Sequence, residues 1–190
     1  SFVRALVYGV LERKITLDYY LSKLLTQPIK KLNPNVLTIL RLGAYQILYM
    51  DKVPVSAAVN ESVKLSKKSK CAYASGLINS VLRKLSSIDI KIEKTENKIY
   101  DLSVEYSCPE TLVSQFVDDY GYTYTEKILK ASIGSVPTYI RVNTLKISPE
   151  QLIEKLAEED IAAKKCEEFT NSLEIISGNS IFQSLCFKNE

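Results

Sequence analysis

The sequence predicts a mainly α-helical protein that runs into a small α+β unit, and three observations carry that reading. Apolar residues recur at i, i+3, i+4 and i+7 through most of the first 85 residues, the spacing of helices with one buried face. The period drops to two at 137–143, where Ile140 and Val142 alternate with Tyr139, Arg141 and Asn143 as in a strand. Charge also divides: residues 1–88 hold 14 Lys/Arg and 4 Asp/Glu, whereas 89–190 hold 11 and 18. A basic half joined to an acidic half is the layout of a region that meets a polyanion beside one that does not.

The helices follow in order. Val3, Leu6, Val7, Val10 and Leu11 share the first face. Leu17, Tyr20, Leu21, Leu24 and Leu25 share the second, with Thr16 expected as its N-cap. Asn33-Pro34 reads as a cap followed by proline at the first helical position, where a missing N–H costs nothing. That third helix carries Leu37, Leu40, Ala44, Ile47 and Leu48 and should stop before Pro54. Ser56 is the expected cap of a fourth helix over 57–67, and a fifth bears Leu77, Ile78, Val81, Leu82 and Leu85. Short connections make this an antiparallel bundle.

Over 86–103 the pattern loosens into a connector, with one short strand at most around Ile88, Ile90 and Ile92. Helix resumes at Cys108-Pro109, with Leu112, Val113, Phe116, Val117 and Tyr120 on one face and Gly121 as its stop. Another helix covers about 123–132. Ser148-Pro149-Glu150-Gln151 has capping-box form and opens a helix with Leu152, Leu156 and Ala157 inward. Strands at about 162–167 and 173–176 complete a β-α-β-β order, the beginning of a split βαβ domain of the RNA-recognition (RRM-like) kind, incomplete at residue 190.

Composition excludes much chemistry. The chain has 190 residues and no histidine, so Ser-His-Asp and Cys-His catalysis are out. Its 6 glycines are dispersed, so no P-loop or dinucleotide turn exists. The 4 cysteines are isolated, which disfavours zinc and suggests reduced thiols in the cytoplasm. No apolar run approaches the roughly 20 residues of a membrane span, and no secretory signal opens the chain. We therefore expect no catalytic residue, no bound cofactor, no metal and no membrane partner.

Two segments carry a resemblance. Arg41-Leu42-Gly43-Ala44-Tyr45-Gln46-Ile47-Leu48-Tyr49, followed by Val53-Pro54-Val55-Ser56-Ala57-Ala58-Val59-Asn60-Glu61-Ser62-Val63, and the later Gly76-Leu77-Ile78-Asn79-Ser80-Val81-Leu82-Arg83 resemble the NusB-like helical RNA-binding module. The continuation through SCPETLVSQFVDDYG and PTYIRVNTLKISPEQLIEKL is similar to the Sun/RsmB-type ribosomal RNA cytosine-5 methyltransferases. The resemblance implies a parent enzyme that uses S-adenosylmethionine on small-subunit ribosomal RNA, with two catalytic cysteines in a downstream Rossmann-like domain. None of Cys71, Cys108, Cys166 and Cys186 fits that motif, so each is read as a structural thiol. The chain opens without Met, at what resembles the second family helix. The first family helix and the catalytic domain, a partner in cis, are therefore expected outside it.

The resulting division is 1–88 as the NusB-like core, 89–135 as a connector with two helices, and 136–190 as a partial RRM-like domain. Lys64, Lys67, Lys68 and Lys70 crowd like charge at a helix end, which suits phosphates, although cations there also complement the helix dipole. Arg83 and Lys84 form a second basic group. Tyr139, Arg141 and Asn143 set a ring, a guanidinium and an amide on one strand face, suited to an unpaired nucleotide or to a domain interface. Tyr45, Tyr49 and Tyr73 sit on or beside apolar stripes and are expected in the core or at its edge. The basic groups predict RNA binding, and the resemblance implies that it serves as the substrate-positioning N-terminal region of a 16S ribosomal RNA cytosine-5 methyltransferase. A stand-alone antitermination module and a protein–protein scaffold are the alternatives.

Overall fold

In a computed structural model that describes residues 2–88, 91–134 and 136–188, helices dominate and the chain divides into two units, Ser1–Ile133 and Gly134–Glu190. The first unit contains α1 (Phe2–Glu12), α2 (Lys14–Leu24), α3 (Pro34–Tyr49), α4 (Val55–Lys68) and α5 (Ser75–Ser87), then α6 (Lys98–Tyr106), α7 (Glu110–Tyr120) and α8 (Tyr122–Ser132). Short 3-10 turns, Ile29–Lys31 and Ala72–Ala74, precede α3 and α5.

α3 is the central helix, because it packs against α1, α2, α4 and α5. Its start is fixed locally: the Asn33 side chain accepts a hydrogen bond from the Asn35 N–H at 2.9 Å, and Pro34 takes the first helical position. Leu17, Leu21, Leu40, Ile78 and Leu82 are fully buried in the core it organises. Each such side chain contributes about 1.5–3 kcal/mol by leaving water. Gly43 lets the neighbours close in, since a Cβ there would lie 2.5 Å from Leu82 Cδ1 and 2.7 Å from Ser62 Oγ. Arg41 ties α3 to α2 with a two-pronged grip on Asp18, Nε and Nη2 donating to the two carboxylate oxygens at 2.7 and 2.6 Å.

Several local expectations are corrected. Thr16 is not a cap: α2 begins at Lys14, and the buried Thr16 hydroxyl instead donates to the Val104 carbonyl at 2.6 Å. Ser56 lies inside the first turn of α4, whose N-cap is Pro54. On α1 only Gly9 and Val10 are buried, while Val3, Val7 and Leu11 are exposed. The loose 86–103 stretch holds most of α6, capped by Asn97, whose Oδ1 accepts from the N–H groups of Ile99 and Tyr100. The strand considered at Ile88–Ile92 falls partly outside the described residues, and none of its described positions is a strand.

α6, α7 and α8 share their own small core of Leu102, Val113 and Leu129. They join the bundle through α2, where the Ile15 N–H donates to Ser107 Oγ at 3.1 Å beside the Thr16 bond. Gly121 ends α7 at φ +75 and starts α8 directly, a reversal that suits a residue without Cβ.

In the second unit, β1 (Thr138–Arg141), α9 (Pro149–Glu158), β2 (Ile161–Lys165) and β3 (Ser172–Gly178) are followed by α10 (Leu185–Lys188). The antiparallel sheet has the order β1-β3-β2, so the last strand lies between the two that α9 connects. This is the split βαβ arrangement read from the sequence. Ser148 caps α9 with the full reciprocal box to Gln151. Leu152 and Leu156 face the core with Val142, Ile161, Leu173 and Ile181, but Ala157 is exposed and Ile153 takes its expected place against the core.

One charge pair gives this unit a measurable pH response. Glu150, in the first turn of α9, accepts from Lys165 on β2, and its carboxyl is lowered from 4.5 to about 2 by that bond and by nearby N–H and hydroxyl donors. A carboxyl held below its ordinary value stabilises the fold above that value, and the contribution disappears as pH falls toward 2. A carboxyl-detected NMR titration should place the Glu150 midpoint near 2. Lys165→Gln should return it toward 4.5 and flatten the loss of stability between those two pH values.

Candidate nucleic-acid interface

The basic group at the end of α4 follows from which face of that helix is buried. Ala58, Val59, Ser62 and Ser66 point inward, so Lys64, Lys67 and Lys68 point to solvent. The chain leaves the helix through Ser69, whose N–H donates to the Leu65 carbonyl at 2.9 Å, and through Lys70 at φ +58. The Cys71 N–H then returns to the Ser66 carbonyl at 3.0 Å and buries its side chain. Backbone needs are met inside this turn, and Lys70 is left exposed.

These lysines differ in how their charge is spent. Lys64 pairs with Glu61 at 2.6 Å in an exposed contact. Lys67, Lys68 and Lys70 hold no ion pair among the described residues. Three lysines elsewhere are matched, Lys23 with Glu93, Lys94 with Glu105 and Lys164 with Glu174, each ammonium pushed above its ordinary value mainly by that hydrogen bond. Arg83 donates to Asn79 Oδ1 at 3.1 Å, one turn earlier on α5, and Lys84 is exposed beside it. Along α5 that pair lies roughly 12 Å from the helix start that follows the Lys70 turn. The candidates therefore form two groups along the α4–α5 hairpin.

The strand trio is divided. Tyr139 and Arg141 lie on β1, opposite Glu174 and Ser172 of β3. Asn143 is beyond the strand: its Oδ1 accepts from the Leu145 N–H at 3.3 Å, and its carbonyl accepts from Lys146 and Ile147. It builds the turn that leads to α9. Tyr139 and Arg141 instead border a cavity of about 350 Å³ shared with Phe182 and Phe187, whose rings meet edge-on at 5.5 Å. Sequence reasoning missed those two phenylalanines because no periodic pattern surrounds them. Tyr73, expected in the core or at its edge, is instead 74% exposed. Tyr45 is partly buried, whereas Tyr49 is exposed, and their rings pack on each other at 5.3 Å.

Cys71 is buried, and burial pushes the Cys108 and Cys186 thiols up, away from the reactive thiolate. Among the described residues no group of His, Cys, Asp or Glu could hold a metal ion. No helix among them is long and apolar enough to cross a membrane.

Comparison with known proteins reads this geometry in family terms. Residues 1–87 match the NusB family model. A NusB transcription antitermination protein of Ruminiclostridium cellulolyticum is 36% identical over 52% of this chain and 69% of its own length. The chain belongs to the NusB family. Beyond the NusB-family domain, residues 108–181 match the model described as Methyltr_RsmF/B-like, ferredoxin-like domain. That match takes in α7 and α8 as well as the sheet. Relatives named probable ribosomal RNA small subunit methyltransferase B align across both domains. The one from Bacillus subtilis is 32% identical over 91% of this chain and 39% of its own length, and the one from Synechocystis 35% over 83% and 35%. The chain thus spans about two fifths of the length of these curated relatives. A solved chain, "Crystal Structure of PH0851", has the same fold over 98% of this chain and 42% of its own, with a TM-score of 0.65 at 19% identity.

Proposed function

We propose that this chain is the RNA-holding, substrate-positioning region of an S-adenosylmethionine-dependent 16S ribosomal RNA cytosine-5 methyltransferase of the cytoplasm. The observation that carries the reading is the group of unmatched cations Lys67, Lys68 and Lys70 on a NusB-family domain. Its joining to an RsmF/B-like domain, as in relatives named methyltransferase B, points to the same activity. In this reading 1–88 is the RNA-binding core, 89–135 connects, and 136–190 is a partial RRM-like domain that adjoins a catalytic domain in cis.

The work of these residues is electrostatic. Lysines and arginines release the counterions condensed on phosphates, which holds the RNA while a cytosine is taken out of its stack. Lys64 joins once an RNA phosphate competes with Glu61, and Arg83 with Lys84 extends the track along α5. Tyr139 and Arg141 offer a ring and a guanidinium to an unpaired base, and Asn143 shapes the turn beside them.

S-adenosylmethionine would supply the methyl group, but the residues here do not fit it. Gly9, Gly43 and Gly76 lie inside helices, Gly121 joins two helices, Gly134 leads from a helix toward a strand and Gly178 closes a strand, so among the described residues no glycine turn leads from a strand into a helix. No step is assigned through the cofactor in this chain.

The test is a filter-binding titration against small-subunit ribosomal RNA at several salt concentrations. Affinity should fall with a log–log slope of roughly 0.7–0.9 per phosphate contact. Salt-independent or undetectable binding would remove the reading and leave the protein–protein scaffold. A stand-alone antitermination module is the second reading, supported by the 36% identity to NusB proteins. It places the same RNA on the same lysines without a cytosine to modify.

A further inference from the structure

We infer that the first unit holds one unpaired nucleotide of its RNA in a pocket at the α3 N-terminus, with the base stacked on Tyr73 and a flanking phosphate on Lys31. This inference rests on the RNA-binding reading above and names a specific subsite within it. The pocket has a volume of about 440 Å³ and lies between the Ile29–Lys31 turn, the start of α3 and the Ala72–Ala74 turn. Val36 and Leu77 form apolar walls, and Gln27, Lys31, Asn33 and Tyr73 supply the polar rim.

Four features favour a nucleotide. Tyr73 is 74% exposed, an aromatic face offered to solvent at a cavity mouth. Lys31 holds no ion pair among the described residues, and neither does Lys70, three residues before Tyr73. Gln27 and the Asn33 amide nitrogen are likewise without a hydrogen bond among the described residues, so base-edge donors and acceptors are unspent. No carboxylate lines the pocket, and only Asp51 and Glu61 are acidic between residues 19 and 88. An anion with a flat apolar face meets each of these conditions, and a flipped-out nucleotide has that chemistry.

The experiment uses the full 190-residue chain and a labelled single-stranded RNA of mixed sequence, read by fluorescence anisotropy across salt concentrations. Tyr73→Leu should weaken binding about tenfold at every salt concentration without changing the salt slope, because stacking releases no counterions. Tyr73→Phe keeps the ring and should bind as the parent does. Lys31→Gln should reduce the slope by roughly 0.7–0.9. If Tyr73→Leu binds normally while salt-dependent binding persists, or if Tyr73→Phe fails as Leu does, the pocket is overturned and the RNA-binding reading stands. If the parent chain shows no salt-dependent binding, that reading falls and the pocket falls with it.

Discussion

Replacing Gly178 by alanine should unfold the second unit. The residue closes β3 at φ +114, outside the range L side chains adopt readily. The surroundings add to the strain: a Cβ there would lie 1.9 Å from the Asp160 carbonyl oxygen and 2.8 Å from the Ile161 Cα. Both are backbone atoms at the start of β2, so no side chain can swing aside. Asp160 is itself held at φ +60, and its carbonyl accepts from the Asn179 N–H at 3.3 Å, so the two strand ends are locked together. Relieving the overlap means separating β2 from β3, and with the backbone strain the cost reaches about 5 kcal/mol or more. A unit this small commands about 5 kcal/mol in total. The expected result is loss of the dispersed NMR resonances of 136–188, with those of 2–88 retained. Gly76→Ala is the control, since a Cβ at that exposed position of α5 meets nothing within 4 Å. It should leave the fold intact or stabilise it by about 0.5–1 kcal/mol. A Gly178→Ala protein that melts like the parent would show that the strand ends yield more easily than their geometry indicates.

Exchange of Lys67, Lys68 and Lys70 for glutamine should cost about 100- to 500-fold in RNA affinity at 0.1 M salt. The figure follows from counterion release, since a slope of roughly 0.7–0.9 per phosphate makes each contact worth about five- to eightfold at that concentration. The salt slope should fall by roughly 2–3 at the same time. All three side chains are exposed and none holds an ion pair among the described residues, so stability should change little. Lys64→Gln alone should do less than any of the three, because Glu61 already shares its charge. A triple variant that binds like the parent would place the phosphate track elsewhere on the domain.

What the sequence reveals of this protein is what its local chemistry decides. Asn33-Pro34, Gly121 and the box from Ser148 to Gln151 each satisfy their own backbone within a turn, so their roles are written in neighbouring residues. Thr16 and Ser56 have the same residue types without the same task. Thr16 finds a partner 88 positions away, and Pro54 has already begun the helix that holds Ser56. α6 was hidden because part of its buried face is polar. Asp101 is buried there, its carboxylate accepting from the Thr95 N–H at 2.9 and 3.0 Å, so the apolar stripe is interrupted. The candidate site was legible as charge but not as shape. Lysine spacing along α4 can be counted, whereas the exposure of Tyr73 depends on the Ala72–Ala74 turn, and the cavity beside Arg141 depends on Phe182 and Phe187 more than 40 residues later.

The close contact at Gly43 makes positions 43, 62 and 82 a single volume divided among three helices. A larger residue at any one of them is tolerable only beside a smaller one at another, so the three are mutually dependent where distant core sites would vary independently. Drift through this bundle is therefore confined to paired exchanges there, and an isolated change at one position meets resistance that its own chemistry would not predict.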